Sequence, residues 1–490
     1  MRTRRFFAIL VLSLFLAWQL TAPAALAGVL FGAVTVRDEI EMGRTFHEMV
    51  KAKLPVVDDP EVVAYVKDVV ERVGKAMPPQ PFSITTTVID NNALNAFAVP
   101  GGYVYVFTGL LLNLEHESQL ASVVGHELAH VTQRHVATRL EQMRVLGIGA
   151  MLGTIAGIFL GTKAGGGESM SNLGKAVAIG AQGAATAAFL SYSQDNEREA
   201  DQVGMNYLIG AGYNPASMPQ VFEIMAKRRW YTGSSDIPPY LSTHPGLLER
   251  VSYLGDRLKR LPSEYLDRAD DDKKFLRVQT LLRGRLSDTD TALAYYKNKP
   301  EKELTCLDHV GLGILHGRQN RMAQAEQSFD KALACGGSDS LVLREAGSFY
   351  FRQGDFKRAG PLLQKALFYN PKDALALFYI ARLMGERKEY PAAIQTMRQV
   401  LKEVPEDAEV RQHLGRLLGE SGDTFGAHVQ LAYAAMYERN PRQSGFHLDK
   451  ARALAKTPEQ KKELAELEKA HVARHARPDA PARPEGGGRP

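Results

Sequence analysis

The sequence predicts a mostly α-helical protein, with an α+β domain that contains a small β-sheet followed by an all-α solenoid. Three observations support this fold class. Apolar residues in the first half recur at helical spacing, as in Val62, Val66 and Val69. Only three short segments, between residues 82 and 107, combine the residue types and turns typical of strands. From about residue 271, small residues recur every 34 positions, which indicates stacked helical pairs.

Composition indicates a multi-domain globular protein. The chain has 490 residues, of which 45% are hydrophobic, enough for two or three real cores. The 60 basic and 55 acidic residues interleave, and the net charge is only +5. We therefore expect no nucleic-acid partner.

The first 27 residues have the pattern of a signal peptide. A basic start (Met1–Arg5) precedes an apolar core (Phe6–Leu20) and a small-residue cleavage site (Ala25–Ala27). No cysteine lies at the cleavage site directly after the apolar core, so a lipid-anchored form is not expected. An uncleaved membrane anchor is the alternative. We expect a mature protein that works in a bacterial periplasm.

Residues 28–262 are interpreted as the first folded domain. The helical patterns are Glu39–Val50 and Pro60–Val73, and the strand patterns are Phe82–Ile89, Asn95–Val99 and Tyr103–Phe107. The last two strands flank a Pro-Gly-Gly turn, which is typical of a hairpin.

One segment, an HExxH motif, predicts a metal site with a catalytic base. His126 and His130 are four residues apart, so on a helix they share one face and can bind one Zn²⁺ while Glu127 serves as a base. A third histidine from an extended motif is excluded, because Gln133 and Val136 occupy the glycine and histidine positions. A chance match on an ordinary helix is the alternative.

A second helix offers the missing ligand. Glu197 and Asp201 are also four apart, so one can bind metal while the other hydrogen-bonds a ligand imidazole. Glu199 faces elsewhere on the helix, and His135 is interpreted either as a surface histidine or as one that supports a metal ligand from behind. Farther on, Pro245 is expected to start a helix with His244 at its N-terminus.

Four motifs together resemble one zinc endopeptidase family, that of the prenyl-protein-processing endopeptidases and the heat-shock protease HtpX. The matching segments, which span roughly residues 29–261, are Asn95–Ala98 with Pro100–Val104, Gly125–His130, Ser191–Asp201 and Ser242–Pro245. The resemblance implies one Zn²⁺ per chain, held by His126, His130 and Glu197. It also implies that Glu127 is the base, that Asp201 supports a ligand and that His244 faces the metal.

The resemblance further implies a substrate-binding strand. Its residues are Asn95, Ala96, Phe97 and Ala98. An edge strand can bind an extended substrate through its backbone with little demand on sequence. A plain core hairpin is the alternative. His244 could either stabilise the oxyanion or occupy the open metal position and silence the enzyme.

Residues 145–190 are predicted to form an inserted helical hairpin. Val145–Gly161 is a largely apolar run of 17 residues with glycine at every fourth position, and Leu173–Leu190 repeats this spacing with small residues. The interpretations left open are a close-packed lid or interfacial hairpin, peripheral contact with a membrane, and a membrane span.

Residues 271–471 follow the tetratricopeptide pattern. The small residues in phase are Ala325, Ala359, Ala393 and Ala427, with Gly313, Gly347, Ala381 and Gly415 twelve positions before them. They mark where the two helices of each pair touch. Phe275–Tyr296 is predicted to be a leading pair and Gly445–His471 a capping pair, and residues 472–490 are predicted to be a disordered tail.

Both cysteines lie in one predicted repeat. Cys306 begins its first helix and Cys335 ends its second, and antiparallel helices bring those ends together. A disulfide is therefore geometrically plausible in an oxidising compartment. Two buried free thiols are the alternative.

With its repeats, the chain resembles the periplasmic β-barrel-assembly-enhancing proteases. This resemblance implies a zinc endopeptidase that acts on misfolded or stalled outer-membrane proteins, with repeats that bind clients or the assembly machinery. The alternative function is a chaperone or adaptor for outer-membrane protein assembly whose metal site is largely silenced by His244.

Overall fold

The computed structural model describes residues 34–142, 193–232, 240 and 243–475. The expected signal peptide (1–27), the expected hairpin (145–190) and residues 476–490 of the expected tail (472–490) lie outside this part of the chain. Residues 472–475 of that tail are not disordered but end the last helix. The described residues form two compact units, 34–275 and 276–475, and residues 58–60 group with the second. No helix in the described part is long and apolar enough to cross a membrane.

The first unit combines helices with a three-stranded sheet, as predicted. Its helices are α1 (Val36–Lys53), α2 (Pro60–Gly74), α3 (Thr108–Asn113), α4 (Glu117–Thr132), α5 (His135–Gln142), α6 (Gln194–Gly210), α7 (Ser217–Thr232), α8 (Leu247–Leu258) and α9 (Ser263–Leu266). Its strands are β1 (Thr85–Ile89), β2 (Ala96–Val99) and β3 (Tyr103–Phe107).

The sheet has the order β1-β3-β2, in which β1 runs parallel to β3 and β2 runs antiparallel to it. The predicted hairpin is therefore β2–β3. Its turn needs glycine, because Gly101 and Gly102 have φ angles of 83° and 85°. The Phe97 ring stacks on Tyr105 at 4.7 Å between ring centroids, and Phe46 of α1 packs edge-on to both. Within the described sheet, β2 is an edge strand.

Helices α4 and α6 approach closely at a pair of glycines. A Cβ atom on Gly204 would lie 2.9 Å from backbone atoms of Gly125 and His126, so no larger residue fits there without moving a helix. The whole of α4 from Glu117 to Val131 is buried. This contact places the HExxH helix directly against the helix that carries Glu197.

The second unit is a run of antiparallel helical pairs, which confirms the predicted solenoid. Its helices are α10 (Lys273–Arg285), α11 (Thr289–Lys297), α12 (Cys306–Arg318), α13 (Met322–Gly336), α14 (Ser340–Arg352), α15 (Phe356–Tyr369), α16 (Ala374–Glu386), α17 (Tyr390–Glu403), α18 (Ala408–Glu420), α19 (Thr424–Tyr437), α20 (Pro441–Leu454) and α21 (Pro458–His475). The first of these begins at the boundary between the two units.

The repeating glycines lie where the helices of a pair touch. A Cβ atom on Gly313 would lie 2.8 Å from the Phe329 ring, and one on Gly347 would lie 2.8 Å from Leu363. The partner residues Phe329 and Leu363 are themselves buried. This confirms the interpretation of the 34-residue period as contacts between paired helices.

A disulfide lies within one of these pairs. Cys306 begins α12 and Cys335 lies in the last turn of α13, with their Cα atoms 5.7 Å apart and the two sulfurs joined. The bond closes a loop with a sequence separation of 29 residues.

We predict that the protein has no free thiol. A thiol-reactive probe added under denaturing conditions should label the chain only after reduction, and then at two positions by mass spectrometry. By chain-entropy arguments the bond stabilises the fold by roughly 3–4 kcal/mol at most, so reduction should lower the melting temperature of the repeats. Labelling of both cysteines without reductant would contradict the pairing.

Candidate metal centre

The two histidines of the HExxH motif meet on the buried face of α4. His126 and His130 are 0% and 1% exposed, and their Nε2 atoms are 3.0 Å apart. The four-residue spacing predicts this geometry, since such residues lie one helical turn apart.

Helix α6 adds a carboxylate to this pair. Glu197 places Oε1 3.4 Å from His130 Nε2 and Oε2 3.5 Å from His126 Nε2. Ser193 caps the helix by accepting a hydrogen bond from the backbone N–H of Asn196, at 3.1 Å. The start of α6 is therefore fixed one turn before the candidate ligand.

His244 reaches the same point from another segment. Its Nδ1 lies 2.9 Å from Glu197 Oε1 and 3.2 Å from His126 Nε2. The ligand-capable atoms of His126, His130, Glu197 and His244 all lie within 4.8 Å of one another. The helix after His244 begins at Leu247 rather than at Pro245, because Gly246 adopts a left-handed φ of 82° and acts as the N-cap.

These residues fit a divalent metal ion. Three imidazole nitrogens and one carboxylate form the donor set that Zn²⁺ prefers. Glu127 Oε1 is buried, lies 3.5 Å from His244 Nε2 and accepts no hydrogen bond from the described residues. A Zn²⁺ ion held here would act as a Lewis acid toward a peptide carbonyl.

Glu127 lies beside both the donor set and the edge strand. The backbone N–H of Ala98 in β2 donates a hydrogen bond to its carboxylate. Burial raises the pKa of Glu127, although His244 and His126 oppose the shift. A carboxylate with a raised pKa is a better proton acceptor near neutral pH.

Arg250 balances the buried acids, although no motif in the sequence predicted its role. Its guanidinium donates to Asp201 at 2.9 and 2.7 Å and pairs with Glu197 at 2.5 Å. It is 2% exposed and stacks over Phe222 at 4.0 Å. Two carboxylates in one buried cluster require a cation, and that requirement is the signal that could have indicated Arg250.

Arg250 also keeps both acids ionised. Burial alone would raise the pKa of Glu197, but the Arg250 and His244 charges outweigh it and hold that pKa well below its usual range. Burial would likewise raise the pKa of Asp201, and Arg250 with the His126 hydrogen bond instead lowers it to about 2. Ionised carboxylates are the form that binds metal or orients a ligand.

Asp201 lies behind a ligand rather than among the donors. It accepts a hydrogen bond from His126 Nδ1 at 2.8 Å and another from the Tyr253 hydroxyl. This leaves His126 Nε2 directed at the other donors. The sequence left open which of the two acids would bind metal. In the structure Glu197 lies among the metal-ligand atoms, and Asp201 orients His126.

A second chain of contacts supports His130. His135 is buried, its Nδ1 lies 2.8 Å from His130 Nδ1, and its Nε2 lies 3.1 Å from Glu199 Oε2. Glu199 thus acts on the site through His135, a contact that spacing along α6 does not reveal. Of the two interpretations of His135, the structure supports the one that places it behind a ligand.

Tyr240 was also missed. Its ring stacks on His244 with centroids 4.3 Å apart and an interplanar angle of 23°. It is 0% exposed, and burial raises the pKa of its hydroxyl. Burial lowers the pKa of His244, but Glu197 and Glu127 outweigh that effect and raise it.

The predicted substrate strand is present as β2, and its side chains are committed to the interior. Asn95, Ala96, Phe97 and Ala98 are all at most 2% exposed. Phe97 belongs to the sheet core, so any substrate contact at this edge would use the backbone. Substrate binding by these four residues remains a prediction.

A small sheet lies beside an HExxH helix, a second helix supplies a glutamate, and a solenoid of helical pairs follows in the chain. This is the arrangement that metallopeptidases with tetratricopeptide repeats have. Residues 58–258 match peptidase family M48, and residues 350–417 match the tetratricopeptide repeat. The first unit is therefore similar to peptidase family M48 over these residues.

Several characterised proteins are similar to this chain. The beta-barrel assembly-enhancing protease of Yersinia pestis is 31% identical over 46% of this chain and 45% of its own length. The protein of the same name from Escherichia coli K12 is 28% identical over 49% and 47%. The mitochondrial metalloendopeptidase OMA1 of Bos taurus is 32% identical over 35% and 31%. The chain thus spans about half the length, or less, of these curated relatives.

Part of the chain is similar to the solved structure of YrrB, described as a TPR protein with an unusual peptide-binding site. The two are 20% identical, the match covers 37% of this chain and 92% of that one, and the TM-score is 0.29.

We predict that Asp201→Asn lowers zinc affinity by about 10- to 100-fold, the usual effect of losing a group that orients a ligand. Asparagine keeps the size of the side chain but removes the charge that His126 and Arg250 bind. Zinc retention during competition with a chelator would be measured by elemental analysis. Asp195→Asn, an exposed change in the first turn of α6, is the matched control. Equal retention in both variants would contradict the role of Asp201.

Proposed function

We propose that this protein is a periplasmic zinc endopeptidase that acts on misfolded or stalled outer-membrane proteins, with repeats that bind clients or the assembly machinery. The observation that carries the proposal is the convergence of His126, His130 and Glu197 beside a buried Glu127. This arrangement supplies both a metal site and a general base, which are the two requirements of metal-assisted peptide hydrolysis.

Each residue has a distinct part in the proposed reaction. His126, His130 and Glu197 would hold the zinc ion. Glu127 would take a proton from the attacking water and pass it to the leaving amine. The backbone of β2 would align an extended substrate next to Glu127, since Ala98 already contacts that carboxylate. Substrates without fixed structure would be preferred, because only an extended backbone can pair with a strand edge.

The compartment and the clients are supported by different observations. The relatives from Yersinia pestis and Escherichia coli are named for the assembly of β-barrels. The first 27 residues have the pattern of a cleaved signal peptide. The disulfide between Cys306 and Cys335 suits an oxidising compartment.

A chaperone or adaptor with a largely silenced metal site is the second candidate function. The observation that favours it is the position of His244, whose Nδ1 lies among the donors and not outside them. A fourth protein ligand would fill the coordination position that a catalytic zinc site keeps open. The same histidine, moved slightly outward, could instead donate a hydrogen bond to the oxyanion.

We predict that Glu127→Gln abolishes cleavage of an unfolded protein substrate while zinc content stays at one ion per chain. The base is lost and the metal donors are untouched. A fluorescent unfolded substrate and elemental analysis would measure the two quantities, with the exposed change Glu115→Gln as control. Glu197→Gln should instead lower zinc content directly. Loss of zinc in the Glu127 variant would contradict the assigned roles.

We predict that His244→Ala raises basal cleavage of the same substrate, because the change opens a coordination position. If His244 instead stabilises the oxyanion, turnover should fall by about 100-fold or more, the usual cost of losing one such donor. Turnover and zinc content would be measured together. Sharply reduced activity with unchanged zinc would reject the silencing role and with it the second candidate function.

A further inference from the structure

A tyrosine beside the metal centre carries a hydroxyl that none of the roles described above uses. Tyr240 is fully buried, and its hydroxyl has no hydrogen-bond partner among the residues that the structure describes. Burial raises the pKa of this hydroxyl well above its usual range, so the group keeps its proton at any physiological pH. A phenol that keeps its proton is a hydrogen-bond donor, and here the donor lacks an acceptor.

The ring of Tyr240 is held against the metal centre. It stacks on the His244 imidazole, and its centroid lies 6.5 Å from that of the His126 ring. The carbonyl oxygen of Tyr240 accepts hydrogen bonds from the backbone N–H of His244 at 2.9 Å and from the Thr243 hydroxyl at 3.1 Å. Tyr240 and His244 therefore lie one helical turn apart, which places their rings side by side.

Stacking accounts for the ring of Tyr240 but not for its hydroxyl. A phenylalanine would give the same stack on His244. A buried hydroxyl without a partner costs roughly 1–3 kcal/mol relative to one that is hydrogen-bonded. An unpartnered buried group of this kind calls for a functional explanation, and the simplest is that its partner arrives with the substrate.

A second unpartnered polar atom lies in the same place. Glu127 Oε1 is buried and accepts no hydrogen bond in the described part of the chain. Both residues border one imidazole, because Glu127 Oε1 lies 3.5 Å from His244 Nε2 while the Tyr240 ring covers the face of His244. After burial, the charge of Glu127 is the largest influence on the pKa of the Tyr240 hydroxyl and raises it further. The site thus holds a proton acceptor and a hydrogen-bond donor near each other, and both await a ligand.

We propose that Tyr240 is a catalytic residue whose hydroxyl donates a hydrogen bond to the oxygen of the scissile carbonyl. The inference rests on the proposed peptidase function and adds a residue to it. When water attacks, an O–C bond forms, the π bond of the carbonyl breaks and its electron pair moves onto the oxygen, while Glu127 takes the proton of the water. Tyr240 keeps its own proton and stabilises the negative charge that develops on that oxygen.

The substitution Tyr240→Phe removes the hydroxyl and keeps the stacked ring. We expect kcat for an unfolded protein substrate to fall by about 100-fold, the usual effect of losing one such donor, while KM changes little. Zinc content, measured by elemental analysis, should stay at that of the parent. The melting temperature, measured with and without metal, should stay the same or rise, because an unsatisfied buried group is removed.

A transition-state analogue gives a readout that needs no turnover. The probe is an alanine-rich peptide in which one phosphinic group replaces an amide, so that a tetrahedral centre carries a negatively charged oxygen. Isothermal titration calorimetry should show about 100-fold weaker binding of this peptide to zinc-loaded Tyr240→Phe than to the zinc-loaded parent. The matching amide peptide should bind Glu127→Gln equally well with and without Tyr240→Phe. Tyr207→Phe is the control, since it removes a tyrosine hydroxyl that lies 2.9 Å from the Thr132 hydroxyl, and it should change neither turnover nor affinity.

The outcomes separate a catalytic hydroxyl from a structural one. Parent-like turnover together with parent-like affinity for the phosphinic peptide in Tyr240→Phe would overturn the proposal. Loss of zinc or a lower melting temperature in that variant would also overturn it, because the hydroxyl would then support the fold. If Tyr240→Leu differs from the parent and Tyr240→Phe does not, only the stacked ring matters and the proposal fails.

Failure of the peptidase function would be recognised separately. A parent protein that binds the phosphinic peptide but cleaves no substrate would refute the proposed function, and the ratio of the two affinities would still decide the role of the hydroxyl. A zinc-loaded parent that does not bind the phosphinic peptide would overturn the role assigned to Tyr240.

Discussion

The candidate metal centre depends on one buried charge balance. Glu197 and Asp201 project from the same face of α6 into a region without solvent, where an unpaired carboxylate would cost several kcal/mol. Arg250 of α8 contacts both. The pairing docks α8 against α6, and because His244 lies just before α8, it also brings that histidine into the donor set. The charge pairing of Arg250 thus determines where His244 can lie.

A steric constraint works together with this balance. The contact between Gly125 and Gly204 sets the distance between α4 and α6, and therefore the distance between the two histidines and Glu197. A carboxylate can approach imidazoles closely only if the two helix backbones do so first. The glycines allow the two helices to pack closely, and Arg250 neutralises the carboxylates that this packing buries. Neither feature is itself a ligand, yet the donor set requires both.

Contacts between residues of the same helix could be predicted from the sequence. Contacts between different helices or loops could be found only in the structure. The pairs His126 with His130 and Glu197 with Asp201 followed from the turn of a helix. The period of 34 likewise predicted the stacked pairs. Arg250, Tyr240 and the contact of His135 with Glu199 join segments far apart in the chain, so no spacing encodes them. The late helix start at Leu247 depends on one left-handed glycine, which a proline signal cannot indicate.

The disulfide has a consequence for how the solenoid unfolds. In a linear array each repeat contributes its own stability plus a coupling to its neighbours. Because Cys306 and Cys335 lie in the same helical pair, the covalent link strengthens one unit and leaves every junction between units unchanged. Unfolding that spreads along the repeats is therefore expected to stop at this pair. Fraying from the C-terminal end can spread only through the later repeats, so the helices between residues 273 and 336 are the last of the solenoid to unfold.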